Sequence, residues 1–235
     1  MLHFVATPIG NLSDLTPRAR EALEHADLLA CEDTRRTWQL LSSCGIRRPE
    51  MISYRQGNEE RAGRVVADAV RAGREVALCT DGGYPGISDP GYRMIQQAIE
   101  ENLPFDVLPG ASAPDLALLY SGLPTSSYTF KGFPPRKPGA LHRFFADEAQ
   151  APHTLVFFES PYRVGHSLRA AFEALGDRLA AVCIELTKKF ERVNRGFLSE
   201  LLPQFEGKTV KGEVAIVIAG SNPKFANKPD DGDGD

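Results

Sequence analysis

The segment 80–91, Thr-Asp-Gly-Gly-Tyr-Pro-Gly-Ile-Ser-Asp-Pro-Gly, constrains this chain more than any other stretch. It follows an apolar run, Val76-Ala77-Leu78-Cys79, and precedes a helix-like pattern that starts at Tyr92. A strand that ends in glycine and proline and then enters a helix lays main chain bare at the carboxyl edge of a sheet. Open α/β sheets bind their ligands at that edge. Gly82, Gly83, Gly86 and Gly91 let the backbone approach a ligand closely. Pro85 and Pro90 stiffen the loop, so less entropy is lost when it orders.

Around this segment, short apolar runs alternate with amphipathic ones. Strands are expected at 2–6, 28–31, 51–54, 75–79 and 105–108, with helices over 34–43, 58–72 and 113–120. Another helix starts at Thr16-Pro17, a threonine N-cap followed by proline at the first helical position. Such alternation indicates a largely parallel sheet flanked by helices. The pattern changes after 122–127. Strands are then expected at 128–131, 154–158, 179–186, 192–197 and 214–219, with helices at 140–148, 161–175 and 199–205. Consecutive strands without an intervening helix imply antiparallel pairs. The expected fold is α/β, with a mostly parallel N-terminal domain over 1–123 and a mixed α+β C-terminal domain over 124–220. Residues 221–235 are expected to form a disordered acidic tail. With 235 residues and 42% hydrophobic content, the chain can bury two cores.

The net charge of −4, weighted by Asp230, Asp231, Asp233 and Asp235, argues against a generic nucleic-acid binder. Its distribution matters more. Residues 116–146 hold no carboxylate but carry Lys131, Arg136, Lys137 and Arg143, a basic patch suited to a local anionic partner or a solvated loop. Cys31, Cys44, Cys79 and Cys183 form no CxxC pair and no ligand spacing with the histidines. They read as small buried hydrophobes in a reducing cytoplasm, and no metal site is expected. No apolar stretch approaches a membrane span, and the N-terminus has no signal-peptide pattern.

No GxGxxG follows the first strand, the Gly207-Lys208-Thr209 element lacks the rest of a phosphate loop, and no GxSxG occurs. Instead, four strand-end loops are expected at one sheet edge: 7–11, 32–35, 80–91 and 108–113. Within Glu32-Asp33-Thr34-Arg35-Arg36, Asp33 reads as a helix N-cap, while paired arginines in a first turn are unfavourable unless they face an anion. In the second half, Glu185-Leu186-Thr187-Lys188 joins two strands and reads as a charged turn or a functional one.

Thr7-Pro8-Ile9-Gly10-Asn11-Leu12, Glu32-Asp33-Thr34-Arg35, Asp89-Pro90-Gly91, Leu108-Pro109-Gly110 and Glu185-Leu186-Thr187-Lys188 resemble the ribosomal RNA small subunit methyltransferase I family, within the tetrapyrrole methylase superfamily. The resemblance runs from about residue 4 to residue 219, and longer members continue into a small helical domain. It implies a two-domain class III methyltransferase that holds S-adenosylmethionine in a cleft between its domains. The reaction it implies is 2′-O-methylation of a cytidine ribose in 16S rRNA, with the 30S subunit as partner and a cytoplasmic homodimer as the working form. Carried over, the cofactor contacts would be Pro8, Asp81, Gly82, Gly83, Ile87, Ser112 and Ala113, joined by Glu159, Val214 and Ala215. Lys188, Glu185, Glu32 and Asp33 are the candidate catalytic groups. Arg35, Lys131, Arg136 and Lys137 would meet RNA. The family usually has Ala and Thr where this chain has Gly82 and Tyr84. A tetrapyrrole acceptor, or a cofactor-binding module without catalysis, stays open at this point.

Overall fold

The structure, a computed structural model, describes residues 1–226. Contacts divide it into two compact units, one covering Met1–Ser112 and one starting at Ala113.

The first unit contains β1 (Leu2–Val5), α1 (Pro17–His25), β2 (Leu28–Cys31), α2 (Thr34–Ser43), β3 (Glu50–Ser53), α3 (Glu59–Arg71), β4 (Val76–Cys79), α4 (Tyr92–Glu100) and β5 (Phe105–Leu108). Its five strands are all parallel, in the order β3-β2-β4-β1-β5. β2 and β4 are buried at every position, as strands covered on both faces must be. One face packs Leu2, Phe4, Leu28 and Leu78 against Val66 and Val70 of α3 and Met94 of α4. The other packs Val5, Leu29 and Ala77 against Ala19 and Leu23 of α1 and Leu41 of α2. Local signals set the helix ends. The Thr16 side chain accepts from the Ala19 N–H, with Pro17 at the first helical position, and Asp33 caps α2. From β1 the chain crosses β4 to reach β2; from β4 it crosses β1 to reach β5. These opposite crossovers make β1 and β4 a topological switch point, where loops at the carboxyl ends part and leave room for a ligand.

The second unit contains α5 (Ala113–Ser121), β6 (Tyr128–Phe130), α6 (Pro138–Ala146), β7 (Thr154–Glu159), α7 (Val164–Leu175), β8 (Leu179–Ile184), β9 (Arg192–Phe197), α8 (Leu198–Phe205) and β10 (Val214–Ile218). The sheet order is β6-β7-β10-β8-β9; only β6 and β7 are parallel neighbours. Leu141, Phe145, Leu168, Leu201 and Phe205 from α6, α7 and α8 cover one face, over Phe157, Val182 and Ile216. α5 covers the other face, against β7, β8 and β10. The division therefore falls before α5 rather than at the expected 123/124, because this helix finds its apolar partner surface on the second sheet.

The segment 221–226 is ordered, contrary to the expectation of a tail from 221. Asn222 caps a single 3-10 turn at Pro223–Phe225, and Ala226 forms a β-bridge with Arg178. The rest of the expected acidic tail, 227–235, lies outside the described residues.

Gly165 lets α7 approach α8. A Cβ there would sit 2.7 Å from the Phe205 carbonyl oxygen and 2.9 Å from Glu206 Cα, both backbone atoms. Gly165→Ala is therefore expected to destabilise the protein by about 1–3 kcal/mol, read as a lowered midpoint in thermal denaturation. An unchanged midpoint would show that the helices separate at no cost.

Candidate active site

In the first unit, the loops after β1, β2, β4 and β5 gather at the carboxyl edge. Thr7 and Gly83 exchange two backbone hydrogen bonds of 3.0 and 2.9 Å, and the Thr7 hydroxyl donates to the Thr80 carbonyl at 3.0 Å. These bonds bind the Pro8 loop to the glycine loop. Gly83 adopts φ +80°, a conformation open to glycine at little cost. At Gly82, by contrast, a Cβ would meet Pro8 and Ile9 at 3.4–3.5 Å, an ordinary contact, so an alanine would fit there. The Tyr84 hydroxyl accepts from the Gly110 N–H at 3.0 Å and ties the glycine loop to the loop after β5. A Cβ on Gly110 would lie 2.8 Å from Ala6 Cβ, so this glycine is what lets that loop close against β1. Pro8 is buried, and Ile87 is exposed. Thr80 Oγ1 is buried with no hydrogen-bond partner among the described residues.

Charges on the same edge are arranged in pairs. Asp33 accepts from the Arg35 N–H at 2.8 Å and from the Arg35 guanidinium at 3.1 and 2.8 Å. Asp81 accepts from the Arg36 guanidinium at 3.0 Å and from the Asp33 N–H at 3.3 Å. The two arginines in the first turn of α2 thus find their anions within the chain. Arg35, in particular, is already engaged by Asp33. The Arg35 guanidinium, followed by its N–H, holds Asp33 well below the usual carboxylate range, which makes it a poor proton acceptor. Glu32 goes the other way: burial first, then the Asp81 charge, push it upward.

In the second unit, β10 runs antiparallel to β7 and β8, and β6 runs parallel to β7, so the carboxyl ends of β6, β7 and β8 share one edge with the start of β10. Glu159, Val214 and Ile184 stand in one row across it. The Glu159 side chain is buried. It accepts from the Ser160 N–H at 2.6 Å and from the Ser167 hydroxyl, and lies 3.5 Å from the Arg163 guanidinium. Val214 and Ala215 are buried too, so this row offers a ligand main chain rather than side chains.

Beyond Ile184, the Lys188 ammonium donates to Glu185 at 2.8 Å and to Glu213 at 3.0 Å. Glu185 also accepts from the Glu213 N–H at 2.9 Å. Glu185 and Thr187 adopt φ +55° and +65°, and Thr187 Oγ1 is buried without a hydrogen-bond partner among the described residues. Strain of this kind persists where neighbouring structure over-determines it, commonly at functional sites. Burial alone would lower Lys188, but the two carboxylates outweigh it and hold the ammonium charged. Burial would raise Glu185, but Lys188 and the Glu213 N–H bring it below its ordinary value.

The basic loop is less free than its sequence suggests. Lys131 pairs with Glu148 at 3.0 Å, donates to the Phe144 carbonyl at 2.9 Å and lies over the Phe144 ring. It turns toward α6, where these partners already engage it. Arg136 and Lys137 are exposed and make no ion pair among the described residues. Sequence reading gave Tyr84, Glu213 and Arg163 no partners in these networks, whereas Arg36, a cation at the wrong end of a helix, is expected to face an anion and does.

A family model described as tetrapyrrole (corrin/porphyrin) methylases matches residues 1–202. The uroporphyrin-III-C-methyltransferase of Thermus thermophilus superposes with a TM-score of 0.64 over 94% of both chains at 21% identity, a likeness of fold alone. The chain is 41% identical over 223 residues to the ribosomal RNA small subunit methyltransferase I of Halalkalibacterium halodurans, covering 95% of this chain and 77% of that protein. It is 46% identical over 233 residues to the protein of that name from Mesorhizobium japonicum, covering 98% and 78%. Two α/β units with this strand order and these strand-end loops define a class III methyltransferase, which uses S-adenosylmethionine as methyl donor. Within that class, the chain belongs to the ribosomal RNA small subunit methyltransferase I family.

The Lys188 cluster makes a pH prediction. A raised Lys188 stabilises the fold below its unfolded value of 10.5 and is lost only above a still higher folded value. A lowered Glu185 stabilises above its unfolded value of 4.5 and is lost as pH falls through a lower folded value. The stability gap between the native protein and Lys188→Met should therefore stay level from about pH 5 to about pH 10, by thermal denaturation. A gap that closes between about pH 7 and 9 would reveal a lysine that sheds its proton there.

Proposed function

We propose that this enzyme methylates a ribose 2′-hydroxyl of a cytidine in 16S rRNA, presented on the 30S subunit. The identity of 41–46% across 95–98% of the chain to proteins named for small-subunit rRNA carries this reading. Likeness to tetrapyrrole enzymes, at 21% identity, favours no tetrapyrrole acceptor, since it concerns fold. On the family resemblance, the working form is a cytoplasmic homodimer.

The first unit's carboxyl edge suits the methyl donor. S-adenosylmethionine supplies a methyl group already activated by its sulfonium. Main chain at Gly82, left open beside the Thr7–Gly83 pair, and the Asp81 carboxylate offer polar groups of the kind that a zwitterion with a nucleoside needs. No phosphate cradle is required. The Thr7–Gly83 and Tyr84–Gly110 hydrogen bonds fix those loops before binding, which reduces the ordering cost. In-line positioning of the attacking oxygen supplies much of the acceleration.

A base for the hydroxyl proton helps further, and we assign that role to Glu32. Burial and the Asp81 charge raise its pKa, which makes it a better acceptor than Asp33, whereas Glu185 and Glu213 hold Lys188 as the ammonium. The Lys188 ammonium, held charged, suits a phosphate contact instead.

The test uses methyl-labelled S-adenosylmethionine and 30S subunits from a strain without its own decoding-centre cytidine 2′-O-methylation. Label at one alkali-resistant ribose is the expected result. Intact cofactor binding with no transfer would overturn the rRNA reading. On the same substrate, the acid limb of kcat/KM should fall at a pH above the ordinary carboxylate value of 4.5. Glu32→Gln should abolish that limb and slow transfer by about 100-fold or more. A limb that survives in Glu32→Gln assigns the proton to another group.

A further inference from the structure

We infer that the strand-end edge of the second sheet is a stacking platform for unpaired RNA bases, formed by Phe133, Tyr162 and Phe190. This rests on the RNA reading above and deepens it by naming how the acceptor is gripped.

Three observations converge. The loops after β6, β7 and β8 leave the same edge, and each displays one large aromatic side chain to solvent: Phe133 is 59% exposed, Tyr162 76% and Phe190 73%. Rings so exposed carry a hydration cost that their few neighbours among the described residues relieve only in part, and they sit at the ends of adjacent or next-adjacent strands. Cations without ion pairs among the described residues stand in the same loops: Arg136 and Lys137 after β6, and Lys189, whose ammonium lies 5.7 Å from the Phe190 ring centre. Exposed rings interleaved with free cations match single-stranded nucleic acid, which offers a π-face and a phosphate at each step.

The third observation is rigidity. Gly132 accepts from the Phe158 N–H at 2.8 Å, and the Phe133 ring rests on Phe158 with centroids 5.5 Å apart. Phe158 in turn contacts Phe130 at 4.9 Å. Just beyond Phe133, the Pro134 and Pro135 carbonyls accept from the Arg163 guanidinium at 3.2 and 2.8 Å. Arg163 is itself held beside the buried Glu159 carboxylate. It is also the residue after Tyr162, so one latch sets both the β6 loop and the β7 turn. An aromatic held this firmly yet left uncovered loses little entropy when a base stacks on it.

Two fluorescein-labelled RNA probes of about 12 nucleotides separate stacking from charge: an oligocytidylate and an abasic strand with the same phosphates. The native protein should prefer the oligocytidylate, and Phe133→Ala, Tyr162→Ala and Phe190→Ala should each weaken that probe alone, by about 5- to 150-fold. Phe133→Trp, which keeps a ring on Phe158, should preserve binding and guards against a folding defect. Arg136→Glu with Lys137→Glu should weaken both probes. Equal affinity for the two probes, unmoved by the alanine variants, would overturn the platform while leaving the rRNA reading intact. No binding to either probe, with methyl transfer to 30S subunits intact, would likewise overturn the platform alone. Failure of both binding and transfer would remove the reading beneath it.

Discussion

The pair of backbone hydrogen bonds between Thr7 and Gly83 holds the carboxyl edge of the first unit's sheet, the candidate site, in shape. Parallel strands leave the sheet in the same direction, and their loops have no hairpin partner to order them. Here the chain beyond β1 and the chain beyond β4 make a short antiparallel contact of their own, past the end of the parallel ladder. The contact needs a reversal immediately after β4, which Gly83 supplies with φ +80°. Once it exists, Tyr84 is directed toward the β5 loop, where its hydroxyl meets the Gly110 N–H. Three of the four strand-end loops become one framework, two of them joined main chain to main chain and the third through the Tyr84 hydroxyl.

The fourth loop joins through charge. Asp81 reaches from the glycine loop to the Asp33 N–H and to Arg36. A carboxylate among Glu32 and Asp33 would be repelled, but Arg35 and Arg36 compensate, each on its own aspartate. Such exposed pairs contribute little to stability by themselves. Their effect is on ionisation: they leave Asp33 firmly charged while Glu32, more buried and next to Asp81, is the carboxylate pushed upward. Carboxylates one residue apart thus acquire different chemistry from their surroundings alone.

How much of this could be read from sequence depends on the range of each interaction. The Thr16-Pro17 helix start, the Asp33 cap, the apolar strands β2 and β4 and the antiparallel pairs of the second sheet follow from residues within a few positions of one another, and the structure has them. α5 illustrates the limit. It carries the apolar residues Leu116, Ala117, Leu118 and Leu119 in succession, so no single face declares its partner, and only the fold assigns it to the second sheet. Lys131 looks like a free cation until Glu148 is brought beside it, and Lys188 looks like a possible base until Glu213 joins Glu185 around it. In the candidate site, sequence located the loops, but it could not state which charges were already neutralised, because those pairings span the chain.

That distinction matters for substrate recognition. A basic stretch invites an assignment to RNA by charge, yet charge alone gives affinity without position. In the second unit the lysine closest to β7 is spent on Glu148, and what remains exposed is a set of rings with cations beside them. On the function proposed above, methyl transfer to one ribose among many requires that a single nucleotide be held out of its stack and aligned. Phosphate contacts can slide along a strand by one nucleotide at little cost, whereas a base stacked on a fixed ring cannot. Rigid loops such as the one latched by Arg163 are therefore better suited to selecting a nucleotide than a denser cluster of flexible lysines would be.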